Sequence, residues 1–288
     1  MANFSSANVS VIDGNTNSII ATVSVGANPR GVGVNPTTNR IYVANRTSNN
    51  VSVIDGNTNS VIATVPVGNR PFGVGVNPTT NRIYVANEII SNNVSVIDGN
   101  TNSVIATVPV GATPRGVGVN PTTNRIYVAN EVSNNVSVID GNTNSVMATV
   151  PVGFEPFGVG VNPTTNRIYV ANSGSNDVSV IDGLSNSVMA TVPVGGNPEG
   201  VGLNPTTNRI YVANRTSNNV SVIDGNTNSV MATVPVGSGS LGVGVNPLTN
   251  GIYVSNLSNN VSVISGNTNT VIATVPVGTN PAGVGVNP

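Results

Sequence analysis

One motif, "IYVAN" with its variant "IYVSN", recurs along this chain and decides most of what it can fold into. Its Tyr falls at Tyr42, Tyr84, Tyr127, Tyr169, Tyr211 and Tyr253, at intervals of 42 residues with a single interval of 43. A period of that size is the signature of a repeat architecture, in which each unit is one supersecondary element that buries its apolar face against its neighbours. Within each unit, four segments alternate β-branched with small or polar residues: "GVGVN" (A), "RIYVAN" (B), "NVSVIDG" (C) and "VIATVPVG" (D). Asn, Gly and Pro punctuate them, so the segments read as strands rather than helix turns. Four strands in about 40 residues make a propeller blade.

The copy count closes a ring. Segments A, C and D occur seven times, but B occurs six times; the chain opens at "MAN" and ends at "GVGVNP". Aligning Met1-Ala2-Asn3 with Val43-Ala44-Asn45 leaves only the equivalent of "TTNRIY" missing, six residues short of seven units. The expectation is therefore a single all-β domain over residues 1–288. It is a seven-bladed β-propeller with four-stranded antiparallel blades, closed where C-terminal strand A joins N-terminal strands C and D. An open solenoid of seven units is the alternative, and the twist of four-stranded blades favours closure.

The motifs "RIYVAN", "VSVIDG" and "ATVPVG" resemble the YVTN family of β-propellers, found in archaeal surface-layer proteins and in bacterial cell-surface and secreted proteins. The resemblance covers the whole chain, which writes the family's "YVTN" as "YVAN" or, at Tyr253, "YVSN". It implies an extracellular or cell-surface location. The opening "MANFSSANVS" has neither the basic start nor the apolar middle of a secretory signal, as in a protein that stays inside or in a mature or trimmed form. A propeller scaffold hosts unrelated activities, so the resemblance says more about fold than function.

Composition narrows the function. Charged residues make up 7% of the chain, the net charge is -1, aromatics make up 3% and there is no Trp. No nucleic acid partner and no membrane insertion are expected from such a surface. The chain has no Cys, His or Lys, which removes thiol nucleophiles, imidazole bases, Schiff-base lysines and the usual zinc ligand sets. Apart from the repeated Asp, the carboxylates are Asp177, Glu88, Glu131, Glu155 and Glu199, none with the spacing of a calcium loop. The expectation is a protein that is not an enzyme, with no cofactor and no metal. A catalytic alternative stands beside it. Some propellers of similar architecture are lactonases or quinoprotein dehydrogenases, and two glutamates near a channel mouth can serve as acid and base or hold a cation.

Inside the blade, "GVGV" suits an innermost strand, where Gly permits close approach and Val packs between blades. Read as a phosphate-binding loop it fails, because "VNP" and another strand follow instead of a helix. Outer strand D carries Pro66, Pro109, Pro151, Pro193, Pro235 and Pro276, which guard the edge; the first copy has Ser24 instead. That copy belongs to the blade holding Met1–Asn3, so self-association through this blade is a possible partner mode. Cross-strand position predicts structural ion pairs: Arg40 with Asp55, Arg82 with Asp98, Arg125 with Asp140, Arg167 with Asp182 and Arg209 with Asp224. In the sixth unit Gly251 and Ser265 replace both partners together. Ten positions match the N-glycosylation pattern, a by-product of Asn before Val-Ser at strand entry.

Variation between copies picks out one face. The A–B turn "NPTTNR" and the C–D turn "DGNTNS" barely change, whereas the B–C and D–A loops change in every unit. The residue before "GVG" is expected at the channel mouth once per blade: Arg30, Phe72, Arg115, Phe157, Glu199, Leu241 and Ala282. Arg46, Arg70, Glu88, Ile89, Ile90, Glu131, Phe154, Glu155 and Arg215 lie further out, and Phe4 is the one Phe not assigned to this face. Arg and aromatic side chains are enriched at binding hot spots. The resulting expectation is a non-enzymatic propeller that binds a protein or glycan partner through this face, with a structural subunit of a surface layer or fibre as the alternative.

Overall fold

The computed structural model describes residues 1–288, which form 27 strands and no helix. In blade 1, strand A is Pro29–Asn35, B is Arg40–Asn45, C is Asn50–Asp55 and D is Ser60–Pro66, antiparallel in that order. Five further blades repeat the pattern from Pro71, Pro114, Pro156, Pro198 and Ser240. Blade 7 is the seam. It holds Ala2–Asn3, Asn8–Asp13 and Ser18–Ser24, and the C-terminal segment completes it. Ala2 N–H donates to the Gly283 carbonyl at 3.0 Å, Ala282 N–H donates to the Ala2 carbonyl at 2.8 Å, and Asn3 bridges Pro281. The ring is thus closed as its repeats require. The C-terminal segment pairs only over these few residues, because strand B of the seam is two residues long.

The core lies between blades. Tyr42, Val51 and Val53 of blade 1 pack on Ile83, Val85 and Ile97 of blade 2, and the next four junctions repeat this arrangement. Each blade buries its apolar face only against a neighbour, so the ring is one cooperative unit. At the axis, a Cβ on Gly31 would fall on the Phe72 carbonyl of the next strand A. Gly73 stands in the same relation to Arg115, Gly116 to Phe157, Gly158 to Glu199, Gly200 to Leu241, Gly242 to Ala282 and Gly283 to Arg30. The contact of Gly283 with Arg30 returns the series to its start. Glycine is required here because the inner backbones approach too closely for any side chain.

The Arg and Asp positions need a correction. Arg40 lies opposite Asp55 in the ladder, and the other four pairs hold the same register. No ion pair forms between them; all the salt bridges in the molecule involve Glu. Instead, each guanidinium crosses to the following blade and donates to a C–D turn carbonyl: Arg40 to Gly99, Arg82 to Gly141, Arg125 to Gly183, Arg167 to Gly225 and Arg209 to Gly266. Each Asp caps its own turn. Asp55 accepts from the N–H of Asn57 at 2.9 Å and of Thr58 at 3.0 Å, and Asp182 from Leu184 at 2.8 Å and Ser185 at 2.9 Å. A long side chain reaches past its cross-strand neighbour to an acceptor with fewer competing donors. In blade 6, where Gly251 supplies no guanidinium, the Tyr253 hydroxyl donates to the Gly14 carbonyl at 3.5 Å; no contact couples that change to Ser265.

Candidate functional site

The variable loops share one backbone design. Each D–A loop places one residue in the left-handed region: Asn28, Arg70, Thr113, Glu155, Asn197, Gly239 and Asn280, with φ from 51° to 66°. Asn and Gly are at ease there; Arg70, Glu155 and β-branched Thr113 are held there by their neighbours. An Asn side chain of the preceding blade accepts the N–H of six of them, such as Asn134 Oδ1 from Glu155 at 2.9 Å. The carbonyl of each then accepts the N–H of the first residue after strand B, at 2.9–3.2 Å. Those residues are Phe4, Arg46, Glu88, Glu131, Ser173, Arg215 and Leu257.

Two rings of side chains therefore stand on a seven-fold repeated frame. The inner ring is Arg30, Phe72, Arg115, Phe157, Glu199, Leu241 and Ala282, as the sequence predicts. The outer ring is the set from Phe4 to Leu257. Together they surround an open-mouthed cavity of about 500 Å³ above a throat of about 150 Å³, below which Val side chains line the channel. The cavity is of the size that takes a small molecule.

Charge and aromatic groups are ordered around the mouth. The Arg30 guanidinium lies 4.0 Å from the Phe4 ring centroid and 5.5 Å from that of Phe72. Arg115 follows, 4.7 Å from Phe72 and 5.4 Å from Phe157, and the two Phe rings meet edge to face at 5.3 Å. Such contacts hold a cation over a ring face without neutralising it. Arg115 is also paired with buried Glu88 and, at 2.7 Å, with Glu131, while Arg46 reaches Glu88 at 3.0 Å. Arg30 has no carboxylate partner, and its buried Nε has no acceptor. Burial, then the nearby Arg46 charge, pushes its pKa down to about 10, so it remains a cation at neutral pH. Glu199 lies across the mouth, 3.1 Å from Arg215, and is only 7% exposed. Burial pushes its carboxyl pKa up against the opposing pull of Arg215 and Arg30. An unpaired cation and a carboxyl of raised pKa face one open-mouthed cavity, a combination concentrated at sites of chemistry.

Of the residues expected on this face, Arg30, Arg46, Phe72, Arg115, Glu131, Glu155, Phe157, Glu199, Arg215 and Leu241 line the cavity. Glu88 is fully buried behind it as a counter-ion. Ile89, Ile90 and Phe154 are exposed, and Arg70 also points to solvent; none lines the cavity. Sequence reasoning left out Phe4, Ser173, Asn197, Leu257 and Asn280. The position after strand B, which ends "MAN", "VAN" and "VSN" in these copies, would have found Phe4, Ser173 and Leu257. The loop following it changes length between copies and hides that alignment.

A family model described as "Lactonase, 7-bladed beta-propeller" matches residues 97–234, just under half of the chain. Among solved structures, the fold is similar to a chain of Kuenenia stuttgartiensis hydrazine synthase, with TM-score 0.60 and 20% identity, covering 82% of this chain and 95% of that one. It is also similar to dihydro-heme d1 dehydrogenase NirN in complex with DHE, with TM-score 0.71 and 16% identity, covering 95% of this chain and 62% of that one. No curated protein matches the chain. At these identities the two structures speak for the fold. The matched segment carries Arg115, Glu131, Phe157, Ser173, Glu199 and Arg215 of the two rings.

The expectation of a non-enzymatic binding or structural propeller does not stand against this match, which favours the catalytic alternative. The absence of His, Cys and Lys does not exclude catalysis, because a buried carboxylate can act as a base and an arginine as an electrostatic clamp. The chain is a seven-bladed β-propeller, and residues 97–234 are similar to the lactonase family model.

Proposed function

We propose that this propeller hydrolyses a lactone in the cavity at its channel mouth. The observation that carries the reading is that the unpartnered Arg30 guanidinium and the buried Glu199 carboxyl line the same cavity. Phe72, Phe157 and Leu241 supply apolar wall for the carbon ring of a small ester. Glu199, when ionised, takes a proton from water as the water oxygen attacks the ring carbonyl. The raised pKa makes it a stronger base than a solvated carboxylate. Arg30 has free donors for the oxyanion that forms and for the carboxylate of the product. The acyl C–O bond of the ring then breaks, and the proton held by Glu199 passes to the leaving alkoxide, giving a hydroxy acid.

Proton release on a panel of five- and six-membered lactones, followed at constant pH, tests this. Wild-type protein is expected to turn over at least one of them. Glu199→Gln should lower kcat by about 10²–10⁴-fold with little change in KM, and Arg30→Gln should lower kcat/KM and weaken product inhibition. No turnover across the panel, or full activity of Glu199→Gln, would sink the reading.

A further inference from the structure

The mouth narrows onto a throat of about 150 Å³ whose walls are almost wholly apolar. Phe72, Phe157, Leu241 and Ala282 form its sides, and one glycine of strand A from every blade, Gly31 through Gly283, lies below them. Arg30 and Glu199 border both the throat and the wider cavity above it. A molecule held by those two groups therefore stands over the throat and puts part of itself into it. The sides are unequal. Between Glu199 and Arg30, going through blades 6 and 7, only Leu241 and Ala282 intervene; Phe72, Arg115 and Phe157 fill the longer way round. Ala282 is the smallest side chain of the inner ring, so the gap in the wall lies next to Arg30.

The main chain beside that gap has its polar groups already engaged. Ala282 N–H donates to the Ala2 carbonyl at 2.8 Å, Gly283 N–H donates to the Arg30 carbonyl at 2.9 Å, and the Gly283 carbonyl accepts from Ala2 N–H at 3.0 Å. One side chain takes two groups more. Ser255 Oγ donates to the Ala282 carbonyl at 2.6 Å and accepts from the Gly242 N–H at 2.8 Å. Ser255 is fully buried, and its position holds Ala in every other copy, so the single "YVSN" of the chain lies behind this part of the throat. A polar group pushed in past Arg30 and Glu199 sheds its water and meets no partner, whereas a hydrocarbon group gains by leaving water.

We infer that the throat is the subsite that selects the ligand, and that it takes a hydrocarbon substituent of up to about the size of benzene. An apolar cavity of about 150 Å³ is large enough for that ring. For the reaction, the inference rests on the hydrolytic reading of the mouth. The substrate is then a lactone whose ring carries an alkyl or phenyl group, rather than a polyhydroxylated lactone. Its carbonyl faces Arg30, and its substituent descends beside Leu241 and Ala282, which become the residues that set specificity.

Binding of straight-chain carboxylates from propanoate to heptanoate, followed by ligand-observed NMR, tests the throat without turnover. Arg30 places the carboxylate and the throat takes the chain, so affinity should rise about fourfold per methylene until the throat is full. The ether analogue of hexanoate, with oxygen in place of its fourth carbon, should bind at least about tenfold more weakly than hexanoate. Ala282→Leu should flatten the series. Other blades carry Leu, Phe or Arg at this position, so the frame accepts the larger side chain. In the wild type, kcat/KM for γ-lactones with side chains from methyl to butyl should climb as the binding does. A flat wild-type series, an ether analogue that binds as well as hexanoate, or a slope that survives Ala282→Leu overturns the inference. A steep binding series with no turnover of any lactone overturns the hydrolytic reading alone and leaves the throat a subsite for apolar acids. Turnover without chain-length preference overturns the throat alone.

Discussion

Replacing Glu88 by Gln isolates what the buried carboxylate does behind the mouth. Glu88 is 0% exposed, accepts from Arg46 Nε at 3.1 Å, and is ion-paired with Arg46 Nη2 at 3.0 Å and with Arg115. Gln keeps the shape and removes the charge. Two charge-assisted interactions at about 1.5–3 kcal/mol each make a gross loss of about 3–6 kcal/mol. Two features reduce it. The Arg46 side chain is 25% exposed, so water replaces part of its lost partner, and Arg115 keeps Glu131 at 2.7 Å. Offsetting roughly half leaves about 1.5–3 kcal/mol, at or below the low end of the roughly 3–5 kcal/mol that breaking a dry ion pair costs. With an unfolding entropy of about 2.1 cal/mol/K per residue, or about 0.6 kcal/mol/K for this chain, Tm should fall by about 2.5–5 °C. Differential scanning calorimetry at fixed pH and salt reads this directly. A fall of less than about 1 °C, or a rise, would refute the assignment of Glu88 as the counter-ion that fixes Arg115.

Two further outcomes are expected. In a cycle built from Arg125→Met and Asp140→Asn, the stability losses should add, because Arg125 is bonded to Gly183 of the next blade and Asp140 to its own turn; a coupling above about 0.5 kcal/mol would restore the cross-strand pair. Glu199 sets a pH dependence of stability. Its folded pKa lies above the unfolded value of 4.5, so the folded state binds the proton first, and stability rises as pH falls through the folded pKa toward 4.5. Below 3.8 the trend reverses, since Asp55 and Asp182 have pKa values lowered by hydrogen bonds from their turn N–H groups and lose that stability on protonation. Glu199→Gln should remove the rise and leave the fall, as read from urea midpoints across pH.

The blade, its four strands and the closure at the seam were legible because each rests on local pattern copied many times. The inner ring was legible for the same reason: "GVG" marks the axis, so the residue before it had to stand at the mouth. The ion pairs were misread because register places Arg40 opposite Asp55 but says nothing of the Gly99 carbonyl in the next blade, which the longer side chain reaches. Contacts between blades are invisible to a comparison made along one blade. Phe4 was missed for a related reason. It lies near the start of the chain, where no complete unit precedes it, yet ring closure puts it beside Arg30 of blade 1. Function was misread because charge was counted over the whole chain, while the fold gathers four Arg and three Glu around one cavity.

The seam also bears on the mouth. Phe4, one of the two rings that sandwich Arg30, is held by its N–H to the Asn280 carbonyl, and its own carbonyl accepts Asn28 Nδ2 at 3.2 Å. Phe4 and Asn280 belong to blade 7, which is built from both ends of the chain, and Asn28 to the loop that leads into blade 1. The cavity arginine that has no carboxylate partner therefore stacks on a ring held by the blade where the two ends meet. Closing the ring and placing that cation draw on the same few contacts.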